Sequence, residues 1–193
     1  MKTITLTLFL SLSTLLILSQ ESEHLCFKGV PINGTLNEYI SKMEKSGFAL
    51  VGTEDGVAIL EGEFAAYKGC TIAAVTLEQK DLVSNISVIF PGGDTWSSFS
   101  SDYFNLKELL TEKYGKPSEV VEKFDSYTEP RDDNNRMYQV TMDRCKYHST
   151  FELANGSIQL SIEKGDFSGG FVLLSYFDKV NSDIVRQKAI DDL

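Results

Sequence analysis

The stretch that decides the fold is ANGSIQLSIEK, residues 154–164. Its Asn-Gly pair is a strong signal for a tight hairpin turn, because these residues accept the positive φ angles that such turns require. After the turn, Ile158, Leu160 and Ile162 alternate with polar residues. This alternation is typical of an antiparallel strand that buries one face and exposes the other. The sequence therefore predicts a sheet with two chemically different faces.

Other apolar or alternating runs, separated by turn residues, occur along the rest of the chain. Glu54-Asp55-Gly56 and Tyr67-Lys68-Gly69 are two of the turns expected in the first half. A short strand is predicted at residues 24–28, with Leu25 and Phe27 on one face and Cys26 on the other. The remaining predicted strands span residues 48–51, 57–64, 70–77, 82–90, 119–124, 136–144, 147–154, 157–163 and 171–177.

Helix signals appear at three places in the chain. Thr35 and Glu38 form a capping box that begins a helix over residues 35–46, with Gly47 as its stop. A polar segment with spaced apolar residues, 178–192, predicts a C-terminal helix. The helix between them begins at Asp94 or Thr95, ends at Tyr114, and places on one face Trp96, Phe99, Tyr103, Leu106 and Leu110.

The order of these elements predicts an α+β fold of two helix-plus-antiparallel-sheet units in tandem, sharing one core, with a C-terminal helix. The predicted units span residues 20–95 and 96–193. Residues 44–47 and 112–115 both read Glu-Lys-x-Gly at the end of a helix. That echo fits either an internal duplication or the chemistry that commonly ends helices.

The first 19 residues have the features of a signal peptide. Lys2 is followed by an apolar run over residues 4–18 that is too short to span a bilayer comfortably. Cleavage after Ser19 would export the mature chain to the periplasm or the exterior as a soluble protein. Cys26 is a poor lipid anchor, because Leu25 precedes it and polar residues separate it from the apolar run, so an atypical lipoprotein is the less favoured alternative.

Charge and cysteine content restrict the classes of partner. A net charge of −10 disfavours nucleic acid and anionic membrane surfaces, and no later segment is apolar enough for a membrane span.

Cys26, Cys70 and Cys145 permit one disulfide in an exported protein. Cys70–Cys145 is the favoured pair, and three buried thiols are the alternative.

No recognisable catalytic, cofactor-binding or metal-binding constellation is present. Triads and zinc sites usually need histidine, and the chain has only His24, near the expected mature terminus, and His148, within a predicted strand. The Gly92-Gly93 turn lacks the lysine and spacing of a phosphate loop. The acidic residues 125–135 lack the spacing of a calcium loop. We therefore predict no catalytic residue, no cofactor and no metal.

Aromatic residues remain as candidates for contact with a partner. Tyrosine and tryptophan suit recognition because each buries a large area at small entropic cost, although core packing accounts for them as well. The candidate partner-contact residues are Tyr67, Trp96, Tyr138 and Tyr147.

The leader, the segment Leu109–Pro117 leading into residues 118–124, and the two-unit layout over residues 32–177 resemble the β-lactamase-inhibitor-protein-like fold. The helix-to-strand junction also resembles the outer-membrane lipoproteins of the barrel-assembly machinery. The chain departs from both, with no lipidated cysteine of the second kind and three cysteines instead of two pairs, so no functional residue is carried over. The resemblance implies a sheet with helices on one face and the other face available to a protein.

We therefore predict a non-catalytic exported protein-binding module whose partner is another envelope or secreted protein. One alternative is a periplasmic carrier that holds a small apolar or glycan ligand between helices and sheet. The other is a hydrolase that uses a pair of carboxylates, such as Glu61 and Glu63.

Overall fold

A computed structural model describes residues 24–77, 81–165 and 169–193. The signal peptide predicted at residues 1–19 lies outside the described residues. The helices of the described chain are α1 (Leu36–Lys45), α2 (Trp96–Tyr114), α3 (Asp133–Thr141) and α4 (Lys179–Asp191). The strands are β1 (Cys26–Phe27), β2 (Val30–Pro31), β3 (Ala49–Glu54), β4 (Val57–Phe64), β5 (Tyr67–Thr76), β6 (Val83–Ile89), β7 (Glu119–Phe124), β8 (Cys145–Leu153), β9 (Gly156–Lys164) and β10 (Gly170–Asp178).

An antiparallel eight-stranded sheet organises the molecule, in the order β3-β4-β5-β6-β10-β9-β8-β7. The first half of the chain contributes α1 and the strands β3 to β6. The second half contributes α2 and the strands β7 to β10, with α3 inserted after β7. The two halves meet where β6 pairs with β10, and the predicted division at residues 95 and 96 falls in the connection between β6 and α2. The predicted α+β class is confirmed.

The hairpin at residues 154–164 forms as its sequence predicts. Ile158, Leu160 and Ile162 are buried, while Gln159 between them is exposed. Leu160 pairs with Ser149 of β8 on one side and with Leu174 of β10 on the other. Gly156 is required at the turn, because a Cβ there would collide with the carbonyl oxygen of Phe177.

Helices α1 and α2 begin where the capping signals place them. The Glu38 N–H donates to the Thr35 hydroxyl, and the Glu38 carboxylate accepts from the Thr35 N–H at 2.9 Å. Thr95 caps α2, whose predicted apolar face is buried along its whole length. Gly47 has a φ of +93°, the left-handed conformation expected after a helix.

The core lies between the helices and one face of the sheet, and each half of the molecule has its own aromatic cluster. The first half's Phe27 ring lies 4.8 Å from Phe64 and 5.4 Å from Tyr176 of β10, between ring centroids. In the second half Trp96 contacts Phe124 and Tyr147 edge-on, each at 4.9 Å. Such geometry is favourable for aromatic pairs and adds to the burial of apolar area.

The strand predicted at residues 136–144 is wrong, because this segment forms α3. Asp132 caps the helix by accepting from the Asn135 N–H at 2.8 Å. Val140 is the buried residue of α3, and its side chain packs next to Gly170 of β10. Of the acidic residues in segment 125–135, Asp132 and Asp133 serve helix ends, since Asp133 accepts from the first amides of α2.

The turn predicted at Tyr67-Lys68-Gly69 is also misplaced, because Tyr67 already belongs to β5. Ala65 and Ala66 form the turn, with φ angles of 50° and 68°. Alanine rarely adopts positive φ, so nothing in the sequence marks these residues as the turn.

A buried carboxylate ties the N-terminal segment to the end of the sheet. Asp178, which is 1% exposed, accepts from the Leu25 N–H at 2.8 Å and lies 3.1 Å from His24 Nδ1. Its other described donor is the Asn181 N–H, and the Asn181 side chain donates to the Val83 carbonyl. One side chain therefore joins the residues before β1, the end of β10 and the start of α4.

Two buried tyrosines provide a matched test of core hydrogen bonding. The Tyr103 hydroxyl lies 2.7 Å from the Ser149 hydroxyl, whereas the Tyr39 hydroxyl has no hydrogen-bond partner among the described residues. We expect Tyr103→Phe to lower the free energy of unfolding by about 1–3 kcal/mol, because Ser149 stays buried without a partner. We expect Tyr39→Phe to cost less than about 0.5 kcal/mol or to stabilise. Urea denaturation of both variants measures this, and equal losses would contradict it.

The Asp133 clamp between α2 and α3 predicts a pH-dependent stability. The Ser97 hydroxyl and the amides of Ser97 and Trp96 hold the pKa of the Asp133 carboxyl below its ordinary value of 3.8. The stability that it contributes is complete above pH 3.8 and is lost as pH falls through the folded pKa. We expect Asp133→Asn to lower Tm at pH 7, with a difference from wild type that shrinks below pH 3.8. Asp55→Asn removes the same charge in an exposed turn and is expected to leave Tm unchanged.

Candidate functional site: the open face of the sheet

The packing of α1, α2 and α3 distinguishes the two faces of the sheet. Helix side chains contact alternate residues of the strands: Tyr103 reaches Ser149, and Lys107 forms an ion pair with Glu122 at 2.6 Å. Residues of the other alternation have described side-chain contacts with other strand residues or with the loop residues Asp125 and Asp143. We call this second surface the open face.

Strand register arranges the open face in three rows that cross the sheet. One end row contains Glu54, Val57, Val75, Asn85, Phe177, Ser157 and Glu152. The middle row contains Gly52, Ile59, Ala73, Ser87, Ser175, Gln159, Thr150 and Glu119. The other end row contains Ala49, Glu61, Thr71, Ile89, Leu173, Ser161, His148 and Val121.

At the centre of the open face, β6 and β10 place a pair of hydroxyl groups between larger apolar side chains, which leave Ser175 only 6% exposed. Ser87 and Ser175 are cross-strand partners with their oxygens 2.9 Å apart. Ile89 and Leu173 pair on one side of them, and Phe177 lies opposite Asn85 on the other. The centre of the open face therefore consists of small polar side chains with larger apolar side chains on both sides.

The two halves of the open face differ in polarity. Val57, Ile59 and Val75 of β4 and β5 are half-buried aliphatic residues of the open face. In the other half the corresponding positions of β9 and β8 carry serine, glutamine, threonine and histidine. A partner that covered the apolar half would gain the most binding free energy, since burial contributes about 25 cal/mol per Å² of apolar surface.

The margin of the open face is acidic. Cross-strand register places on it the carboxylates of Glu54, Glu61, Glu119, Glu152 and Glu163, against the ammonium groups of Lys123 and Lys146. The surface potential there is therefore negative, and a basic partner would be attracted to it before contact.

The structure brings few of the predicted partner-contact aromatics to a binding surface. Trp96 is 5% exposed and belongs to the core, so it is not available to a partner. Tyr147 is half-buried in the same cluster, and Tyr67 is half-buried with its hydroxyl donating to Asp102 at 3.0 Å. Tyr138 alone of the four is well exposed, at 52%, on α3. These residues do not form one site.

Sequence reasoning missed an exposed aromatic residue that does lie on the open face, Phe177, which is 38% exposed. A signal was available in the predicted strand 171–177. Leu173 and Phe177 alternate there with the buried Leu174 and Tyr176, so one of the two apolar sets had to face away from the core.

The favoured disulfide is not formed, and Cys26, Cys70 and Cys145 are free thiols. Cys70 lies on β5 and Cys145 on β8, four positions apart in the sheet, which is about 19 Å at the usual strand spacing. A disulfide needs Cα atoms within about 7 Å. Burial raises the pKa of the Cys145 thiol to about 12 and also raises that of Cys70, so both stay protonated at neutral pH.

His148 lies on the open face with Nε2 3.9 Å from Glu119, and its cross-strand neighbour is Ser161. The Ser161 hydroxyl donates instead to Glu163 at 2.6 Å. The described residues contain no cluster of three histidine, cysteine or acidic side chains that could hold a metal ion.

A groove of 650 Å³ lies between α1 and the N-terminal segment. It is lined by polar or charged groups, including His24, Asn33, Lys42 and Asn181. Other described cavities lie along α4, along α2 and at the β8–β9 turn. Polar lining does not suit an apolar ligand, and the glycan form of the carrier hypothesis stays a prediction.

Comparison with protein-family models, with curated proteins and with solved structures finds no match for this chain. The resemblance noted from the sequence therefore stays a prediction. Within the described ranges, no helix is both long and apolar enough to cross a membrane.

Adjacent leucines of β10 test the assignment of the two faces. Leu174 is 1% exposed and Leu173 is half-buried on the open face. We expect Leu174→Ala to lower the free energy of unfolding by about 2–5 kcal/mol, and Leu173→Ala by about 1 kcal/mol or less, because only the first leaves a cavity in a closed core. Chemical denaturation compares them, and a larger loss for Leu173→Ala would contradict the assignment.

Proposed function

We propose that this protein is a non-catalytic exported module that binds another envelope or secreted protein through the open face. The observation that carries the proposal is a broad sheet face without described helix contacts, on which Ile89, Leu173 and Phe177 surround a hydroxyl pair inside an acidic margin. Apolar centres with polar margins are typical of protein interfaces.

The dimensions of the open face suit a protein better than a small molecule. Eight strands at about 4.8 Å spacing give a width of about 34 Å, and paired segments of about six residues give a length of about 20 Å. The resulting area of about 700 Å² is close to the ~800 Å² that each partner buries in a standard interface. Small ligands instead prefer concave, mostly apolar pockets.

The charge of the margin indicates which partner would fit. Glu54 and Glu61 on one side of the face and Glu152 and Glu163 on the other would be complemented by lysine or arginine residues around an apolar contact. Such complementarity mainly accelerates association, so the rate of binding should fall as ionic strength rises.

Site-specific photo-crosslinking in the cells that produce the protein tests the proposal. A benzophenone amino acid at Ile59 or Gln159 would lie on the open face, and the same group at the exposed Glu44 or Glu108 would lie on the helices. We expect both open-face positions to yield an adduct with the same second protein, and the helix positions to yield none. The adduct is identified by mass spectrometry.

Two results would overturn the proposal. Adducts formed from Glu44 or Glu108 but not from Ile59 or Gln159 would move the interface to the helices. Native mass spectrometry that finds a retained small molecule and no second protein would favour a carrier. Loss of the Ile59 adduct in 1 M salt, where the Debye length is about 3 Å, would add support for the acidic margin.

A further inference from the structure

The eight-stranded sheet ends in two edge strands, β3 and β7, and they differ in how their outer sides are occupied. Edge strands present unpaired backbone N–H and C=O groups that can accept a further strand. The described backbone hydrogen bonds of β3 go to β4, and those of β7 go to β8. Each edge strand therefore has described backbone pairing on one side only. The side chains along each edge then decide which of the two accepts a further strand.

Strand β7 carries the charges that usually block an edge. Its sequence is EVVEKF, and each charged side chain already has a partner: Glu119 lies near His148, Glu122 pairs with Lys107, and Lys123 pairs with Asp125. A strand added beside β7 would contact these ion pairs without forming a new one. Charged edges of this type oppose strand addition.

Strand β3 has the opposite character. Residues 49–53 read ALVGT and carry no charge, and Leu50 and Val51 are 41% and 61% exposed. Exposed apolar residues beside unpaired backbone groups favour the addition of a strand that would cover both.

Two carboxylates stand at the ends of the β3 edge without ion-pair partners among the described residues. Glu54 ends the strand, and Glu61 of β4 is the cross-strand neighbour of Ala49. Ala49 and Gly52 are small, so a long side chain on an added strand could lie across them and reach Glu61. The edge thus combines an uncharged middle with an unneutralised acid at each end.

We propose that the β3 edge accepts an extended segment of a partner protein whose sequence carries basic residues at both ends and uncharged, β-prone residues between them. Main-chain hydrogen bonds to β3 would supply affinity, and ion pairs with Glu54 and Glu61 would supply specificity. A second copy of this chain fits poorly. It would bring two further carboxylates to the same place, and the bulge between Leu50 and Gly52 in each copy would have to match.

A defined peptide probe tests the proposal on the purified protein. The probe is acetyl-Lys-Thr-Val-Thr-Val-Thr-Lys-amide, and its controls replace both lysines by glutamate or the middle threonine by proline. We expect the basic peptide to slow hydrogen exchange of the amides at residues 49–54 by about tenfold at saturation, because exchange then requires peptide release. The amides of residues 119–124 in β7 should be unaffected. Both controls are expected to be inactive.

A charge swap supplies the second arm. Glu54→Lys with Glu61→Lys should reverse the preference, so that the glutamate peptide protects β3 and the lysine peptide does not. Absence of protection by the basic peptide, equal protection by both peptides, or protection of β7 would each overturn the proposal. Self-association of the protein that Val51→Lys abolishes would assign the edge to a second copy instead. The readout is confined to β3, so it is independent of whether the open face binds a partner.

Discussion

The pairing of β6 with β10 is the contact on which the rest of the structure depends. These strands belong to different halves of the chain, and their antiparallel pairing from Asn85 to Ile89 turns two four-stranded sheets into one. Val88 and Leu174 pair on the helix side, where both are buried, while Ser87 and Ser175 pair on the open face. A slip of one residue would exchange these faces, so burial of the helix side sets the register.

The same pairing explains why the molecule has a broad face that its own helices do not contact through described side chains. Each half places its helix before its strands, and α1 and α2 pack on one side of the joined sheet. The eight strands then leave a continuous opposite side on which half-buried aliphatic residues lie next to acidic ones. A sheet face of this size without described helix contacts has the dimensions of a protein interface, and the β3 edge lies next to its apolar half.

Agreement between prediction and structure follows the range of the interactions involved. Capping by Thr35 and Thr95, the apolar face of α2 and the hairpin before β9 were all predicted, because each depends on residues close in sequence. The predictions failed where a distant contact or an unusual backbone conformation decides. Residues 133–141 form α3 because Asp132 caps them and Asp133 binds α2. Ala65 and Ala66 form a turn with positive φ angles, which an alanine residue in the sequence does not indicate.

By itself the sequence determined the alternation of two helix-plus-sheet halves, most element boundaries, and a sheet with chemically different faces, because periodicity and capping are local properties. Only the tertiary structure decided that β6 and β10 are neighbours, that Cys70 and Cys145 are far apart, and that Trp96 belongs to the core while Phe177 lies on the open face. The physical reason is that an alternating strand is compatible with many partners. Which face meets a helix, and which strand lies alongside, depends on the whole arrangement of packed side chains.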